Sequence, residues 1–420
     1  MSKLNSIVIG DFIETLTDYH ANGSYKILKE NVTLKKEEDF AVMIRTLNFE
    51  RGDFKNDLIF LNQIEYEYLS KTKVFPDDII MNKIANPGSI YIMPDLNKPV
   101  TLAMNLFLIR FNEKLNQRYM YYLMKINEKY IKKFANGTTT LTITKDSVRG
   151  LKFTVPSLLQ QNIIEKVLSD LDKKIGLNNK INAELESMAK IIYDYWFVQF
   201  DFPDFHDKPY KSSGGKMIWN DELKREIPEG WEIQPLTRAM DIQYGYPFST
   251  RLFNDVDEGF PIVRIRDIPS NSISLFSTEK VDSKYELKKG DLLVGMDGNF
   301  HMNLWDKNKC YLNQRCLRIR TKQGSNVSIL QTLFETKPYI EAREKNISRT
   351  TVGHLSAKDI NNLKILIPQN KLGSNSRDLF DSVLKKIIIS RNENQKFVDL
   401  RDWLLPMLVN GQVTVGDTEE

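Results

Sequence analysis

The chain repeats itself at half its own length. A shift of about 212 positions places Thr138-Thr139 on Thr350-Thr351, Leu151-Lys152 on Leu363-Lys364 and Pro156 on Pro368. The same shift brings Lys173-Lys174-Ile175 onto Lys385-Lys386-Ile387, Asn182 onto Asn394 and Leu185 onto Phe397. Solenoid repeats run to about 20–50 residues, so this is a duplicated domain-plus-helix unit. Two similar heads on one frame suit a partner that itself carries two half-sites.

The fold class this predicts is α+β: two mixed α/β domains separated by two long helices that form an antiparallel coiled coil. The expected boundaries are 1–156 for the first domain, 157–200 for the first long helix, 201–230 for a linker, 231–368 for the second domain and 369–420 for the second helix and tail. In the first domain, short β-type runs (Phe40–Ile44, Ile79–Met81, Leu106–Arg110) alternate with Asn, Gly and Pro loops. A helix is predicted near 116–134, and the domain closes on LKFTVP, a strand stopped by Pro156.

From about 157 to 198 the period changes. Ile164, Leu168, Leu171, Ile175, Leu185, Ile192 and Trp196 take a and d positions, with Asn178, Asn182 and Ala189 completing the register. At 1.5 Å per residue this is an arm of roughly 60 Å. DFPDFHDKPYKSSGGKM then reads as a connector. Residues from about 230 to 368 repeat the mixed domain and end on LKILIP. A second helix over about 375–409 carries Phe380, Val383, Leu384, Ile387, Phe397, Leu400 and Leu404. Asn182 and Asn394 occupy equivalent places in the two arms. In an apolar seam, one asparagine lowers stability and fixes register and orientation; exposure on a bent helix is the alternative.

The charge balance is modest, 59 basic against 55 acidic residues, so a nucleic-acid surface has to be a local concentration of Lys and Arg. The N-terminus shows no basic segment followed by an apolar run, and no apolar run reaches about 18 residues, so the chain reads as cytoplasmic. Cys310 and Cys316 lie in one strand-like segment, with their thiols about 20 Å apart along a strand. That spacing and a reducing compartment argue against a disulfide. The four histidines are scattered without ligand spacing, so no metal site is expected.

Catalytic signatures are missing. There is no phosphate-binding G-x-x-x-x-G-K-[ST], no G-x-G-x-x-G after a strand, no Pro-Pro motif of an amino-methyltransferase and no H-E-x-x-H. Asp77-Asp78 near Lys83 could be read as a nuclease pattern, but it is also ordinary strand-end composition. The chain reads as a reader or scaffold, not an enzyme.

Three paired segments look built to touch a partner. AVMIRTLNF (41–49) and FPIVRIRDI (260–268) read as strands with an arginine at the same place, Arg45 and Arg264, followed by Asn48 or by Arg266 and Asp267. Such an arginine can hold a phosphate, pair with guanine, or be bridged internally by a carboxylate. IIMNKIANPGSIYIM (79–93) and LLVGMDGNFHMNLW (292–305) read as hairpins, with Lys83 and Asn86 in one loop and Asp297 and Asn299 in the other. Loops of this kind either project into a groove or simply face solvent. NGTTTLTIT (136–144) and SRTTVGHLS (348–356) offer Thr138, Thr139, Arg349, Thr350 and Thr351, whose hydroxyls and charge suit phosphate oxygens or solvated turns.

These residues carry a family resemblance. YDYWFVQFDFP (193–203) with KPYKSSGGKMIWNDELKREIPEGWE (208–232), and the closing RDWLLPMLVNGQV (401–413), resemble the central junction and C-terminal signature of the specificity subunits of Type I restriction-modification systems. GYPFSTRLF, GFPIVRIRDI and GDLLVGMDGNF resemble elements of that family's target recognition domains. IPQNKLGSN departs from the Pro-rich, Glu-Gln segment common there, so no role is transferred to it.

The resemblance implies a DNA-recognition subunit of a DNA-methylation and restriction complex. Each recognition domain would read one half of a split, asymmetric double-stranded DNA target. The two helices would set the spacer and dock two methyltransferase (modification) subunits. Leu168, Leu171, Ile175, Asn182, Leu185, Phe380, Ile387, Asn394 and Phe397 would form the coiled-coil and partner region. S-adenosylmethionine would sit on the methyltransferase, ATP and magnesium on the restriction (motor-nuclease) partner, and no cofactor on this chain. The competing readings are a coiled-coil adaptor with two protein-binding heads, and an enzyme whose site has escaped notice. A steep fall of affinity with salt separates a DNA reader from the adaptor.

Overall fold

Strand Leu106–Phe111 has five buried residues out of six, because both of its faces are covered. Phe107 and Ile109 pack with Ile79, Met81, Tyr119 and Leu123 on one side, while Leu106 and Leu108 meet Ile44, Ile80, Val100 and Leu102 on the other. Successive side chains on a strand point to opposite faces, and a strand covered on both sides loses its polar alternation. That is why this segment reads as a continuous apolar run.

The computed structural model describes residues 4–137, 140–345, 353–368 and 370–413. They form two units, one of Met1–Lys173 with Phe397–Glu420, the other of Lys174–Lys396. In the first, Ile13–Asp18, Leu106–Phe111, Ile79–Asn82 and Ile90–Ile92 make an antiparallel sheet in that spatial order. A second sheet runs Ile59–Leu61, Ala41–Ile44, Val100–Leu102, Lys73–Val74, with a parallel central pair in which Val42 faces Val100. Asn5–Val8 pairs with Lys152–Val155.

The second unit repeats this plan. Met240–Tyr244, Cys316–Thr321, Leu292–Gly295 and Met302–Leu304 form its antiparallel sheet. Phe260–Val263 lies parallel to Cys310–Leu312, which pairs with Glu286–Leu287. Glu232–Pro235 takes Lys364–Ile367 as its partner. One ion pair is repeated with the sheets. Arg110 grips the buried Asp78 through Nε and Nη2, both at 2.6 Å, and Nη2 also reaches the Lys73 carbonyl. Arg320 grips the buried Asp291 at 2.7 Å through the same two nitrogens, and Nη2 reaches the Glu286 carbonyl.

The first long helix spans Leu158–Tyr193 and continues through one π-helical turn, Asp194–Val198; the second spans Asn370–Val409. Among the seam positions, Ile164, Leu168, Asn182, Ala189, Phe380 and Ile387 are buried, and Leu171, Ile175, Leu185, Asn394 and Phe397 are half-buried. The helices pair antiparallel within each unit. In the first, Arg401 meets Asp172 at 2.8 Å, and this carboxylate also accepts the Tyr122 hydroxyl at 2.5 Å. In the second, Asn394 donates to Asn179 at 2.8 Å and to the Ile175 carbonyl at 3.3 Å, Arg391 pairs with Glu186 at 3.0 Å, and Phe380 lies beside Phe197. Asn182 is buried in the seam and Asn394 bonds across it, so neither stands exposed on a bent helix.

Several expectations are corrected. The segments 41–49 and 260–268 are not continuous strands: the strands stop at Ile44 and Val263, and the chain turns into a helix, Thr46–Arg51, or a 3-10 turn, Ile265–Asp267. The side chains of Asn48 and Asp267 accept the backbone N–H of Arg45 and Arg264 and so close that turn. The helix near 116–134 is two, Gln117–Ile126 and Glu128–Lys132, broken at Asn127. Cys310 and Cys316 lie on separate strands joined through Arg315 at φ 68°, and both thiols are free and buried. Burial pushes the Cys310 thiol up to about 11 and the Cys316 thiol to about 12.

The largest correction concerns the connector at 201–230. It is folded, with a hairpin of Met217–Asn220 and Arg225–Pro228. Phe202 stacks on Tyr210 at 4.6 Å and on Trp231 at 5.1 Å, inside the second unit's core. Its Pro/Gly/Ser composition made it look loose, but its aromatic residues bury it.

Candidate nucleic-acid interface

Each unit brings a hairpin loop against the segment that follows its last sheet helix. In the first, the loop between Ile79–Asn82 and Ile90–Ile92 is tied down where Ile143 N–H donates to the Lys83 carbonyl at 3.0 Å. In the second, Leu355 N–H donates to the Met296 carbonyl at 2.8 Å, and Gly298 N–H to Gly353 at 2.9 Å. The loops turn through matched left-handed residues, Ala85 at φ 69° and Gly298 at φ 70°. A short helix then starts behind each segment, capped by Thr144 or Ser356, whose side chains accept N–H groups of Ser147 and Asp359. Two of the three paired segments are therefore neighbours in each unit, which linear sequence does not reveal.

The side chains on this shared frame differ. Lys83 is half-buried and paired to Asp18 at 2.7 Å, with Lys145 at 3.3 Å on the other oxygen. Burial pushes the Asp18 carboxyl up, but the hydrogen bond and charge of Lys83, with those of Lys145, outweigh it and leave the pKa lowered. Asn86 at the loop tip is exposed. In the second unit Asp297 takes His354 Nδ1 at 2.5 Å and Arg315 at 3.3 Å, while Asn299 and Gly298 are exposed. Both tips thus present a neutral amide, beside a lysine–aspartate group in the first and beside an aspartate flanked by histidine and arginine in the second. Asp18, Lys145 and Arg315 were missed by sequence reading because each reaches the loop from elsewhere in the chain, and His354, within the paired segment 348–356, was counted only among scattered histidines.

The arginine turns also diverge. Arg264 is held at 2.9 Å by Asp267, itself buried, and at 2.7 Å by Ser274 Oγ, while Arg266 is exposed. Arg45 has no such carboxylate, and one of its guanidinium nitrogens donates to the Asp57 carbonyl. Asn48 is buried and spends both ends of its amide internally, on Arg45 N–H and the Asp53 carbonyl. Neither Asn48 nor Asp267 is available to a base edge in this conformation. Thr138, Thr139, Arg349, Thr350 and Thr351 lie outside the described residues. The nuclease reading of Asp77-Asp78 and Lys83 has no geometric basis: Asp78 belongs to Arg110, Asp77 to Arg118 and Lys83 to Asp18.

A second surface runs along the outside of the long helices. Leu177, Ile181, Met188, Ile191, Tyr195 and Val198 are all exposed, at spacings of three, four and seven residues that keep one face of a helix. The half-length shift places Met188 and Ile191 on Leu400 and Trp403 of the second helix, which are exposed as well. Leu400 fits the seam by spacing but lies on this outer face. No described helix is long and apolar enough to cross a membrane.

Comparison with known proteins gives a consistent assignment. The family model for the Type I restriction modification DNA specificity domain matches twice, over residues 8–187 and 228–396. The chain is 24% identical over 360 residues to the specificity subunit of the Type I restriction enzyme MjaIX of Methanocaldococcus jannaschii, covering 82% of this chain and 80% of that protein. It is 21% identical over 397 residues to the HindI specificity subunit of Haemophilus influenzae, covering 81% and 83% respectively. The crystal structure of a Type I S subunit from M. genitalium superposes with a TM-score of 0.55 at 14% identity, covering 97% of this chain and 96% of that one, which shows a shared fold.

Proposed function

The chain belongs to the Type I restriction-modification DNA specificity family, and from that premise we propose that it reads a bipartite, asymmetric DNA sequence, one half with each of its two recognition domains. It is the specificity subunit of such a system and is not itself a catalyst. The observation that carries the finer reading is the contrast between frame and reader. The order of the antiparallel sheet, the Asp78–Arg110 and Asp291–Arg320 pairs, and the bond from each hairpin loop to its following segment recur in both units. Both tips carry an exposed asparagine, Asn86 or Asn299, but the charged groups beside them do not recur: Lys83 with Asp18 stands against Asp297 with His354 and Arg315, and the open Arg45 against the neutralised Arg264. Unequal readers on equal frames suit two different half-sites.

The long helices serve as ruler and dock. Their exposed stripes, related by the repeat, offer two like surfaces to two methyltransferase subunits, with a restriction subunit joining for cleavage. S-adenosylmethionine belongs to the methyltransferase, ATP and magnesium to the restriction partner, and the assembly works in the cytoplasm where the DNA lies. Reading both half-sites from one side of the duplex requires a separation near one helical turn, roughly 34 Å. The adaptor reading is not favoured, because the matched family is defined by DNA specificity.

The test is to express the chain with its methyltransferase partner and map modified adenines by sequencing. A split, asymmetric motif is expected. No modification, or an uninterrupted palindrome, overturns the reading.

A further inference from the structure

The two matched arginines differ in one compensating charge. At Arg264, Asp267 Oδ2 accepts Nε at 2.9 Å, Oδ1 lies 3.3 Å from Nη2, and Ser274 takes Nη2 at 2.7 Å. This guanidinium is paired with a carboxylate, and its Nε and Nη2 are both engaged. Asn48 stands in the corresponding place beside Arg45, and an amide brings no charge. Arg45 Nε lies out of solvent without a hydrogen-bond partner.

Arg45 opens into a pocket of about 520 Å³ whose lining also includes Lys36, Lys55, Asn56 and Leu47. Three cations face this space. Among the described residues the one acid in its lining, Asp57, sits 3.6 Å from Arg51 outside the pocket. The rim is pre-set: Asp53 accepts the backbone N–H groups of Asn56 and Lys55 at 2.9 Å and the Asn56 side chain at 3.0 Å. Those bonds, Asn56 N–H first, pull its carboxyl down to about 2, so the rim keeps its form at any ordinary pH.

We propose that this pocket seats a single phosphate of the DNA backbone, and that the second recognition domain lacks an equivalent seat because Asp267 occupies it. The inference rests on the DNA-reading function above and adds which contact is made and in which half. The shape of the arginine decides for phosphate over base. One arm of its fork is committed to the Asp57 carbonyl, so it cannot clasp O6 and N7 of a guanine. A tetrahedral oxyanion entering the recess needs only one edge of the guanidinium and can meet it together with the two lysines.

The experiment uses the full chain assembled with its methyltransferase partner and a duplex carrying the mapped target, with affinity followed against salt. Asn48→Asp gives Arg45 the carboxylate that Arg264 already has, and that pairing shows the geometry is attainable. Affinity is expected to fall ~3–10-fold and the salt slope to flatten by about one phosphate's worth, ~0.9, with the methylated sequence unchanged. Arg45→Gln should give the same slope change, and Asp267→Asn no loss. An unaltered slope in both Asn48→Asp and Arg45→Gln overturns the proposal, as does a changed methylated sequence, which would mark a base contact. Inorganic phosphate that protects the wild-type pocket while neither variant alters DNA binding would mark a free-phosphate site and also overturn it. If the unmutated complex fails to bind the duplex, it is the DNA-reading function that falls.

Discussion

Residue-level chemistry here turns on what stands three positions after an arginine and on which carboxyls lie beneath the surface. Glu335, on the helix Ile329–Lys345, takes the Leu366 N–H on Oε1 at 2.8 Å, while Oε2 is out of solvent with no hydrogen-bond partner. Burial raises its pKa from 4.5 to about 7, against the help of Leu366 N–H, Gln331 and Arg225. A carboxyl whose folded pKa lies above its unfolded value favours the folded state when protonated. That contribution is complete below about 4.5 and is lost as pH rises through about 7, amounting to about 3 kcal/mol. The melting temperature should therefore drop between pH 5 and pH 8, and Glu335→Gln should flatten that drop. An unchanged pH profile in the variant would assign the loss to other groups. Nothing in the spacing of Glu335 distinguished it from the chain's other acids; its character comes from the strand Lys364–Ile367 packed over it.

At the scale of elements, the long helices carry two apolar stripes, and heptad spacing alone does not say which one is spent inside. Ile164, Leu168 and Ile387 are buried, whereas Met188, Ile191, Leu400 and Trp403 face out. An exposed stripe on a helix already paired along its other face marks a surface for a further partner. Ile191→Glu and Trp403→Glu should each leave the chain folded and remove one methyltransferase copy, and the double variant should remove both. Light-scattering mass of the purified complex reads this directly. Loss of both copies from either single change would mean one shared surface and not two. The expected seam was legible because a packed a/d register has one period. The outer stripe has the same period, so only the packing separates them.

For the whole molecule, the proposed ruler makes helix length the quantity to change. Seven residues inserted after Lys173 and after Lys396 fall where the two units divide, so each keeps its internal contacts. Each insertion adds about 10.5 Å of helix, and the preferred spacer should grow by ~3 base pairs at 3.4 Å each. Mapping of methylated adenines would show it; an unchanged spacer refutes the ruler. The repeat that suggested this organisation is strongest in the strands and helices and weakest in the loops. The connector at 201–230 was the part most misread, because turn-forming composition says where a chain bends and not whether Phe202 and Tyr210 will stack when it does.

By itself, the sequence determined the duplication, the short β-type runs, the two long helices with their apolar period, and the family. All of these rest on periodicity and identity along the chain, which survive projection onto one dimension. Tertiary structure alone decided that Lys83 belongs to Asp18, that Asp78 belongs to Arg110, that Arg264 is neutralised while Arg45 is open, and that the connector is core. Those outcomes depend on which charges and rings meet from distant positions, and the strength of such a meeting is set by distance and burial, quantities that spacing along the chain does not encode.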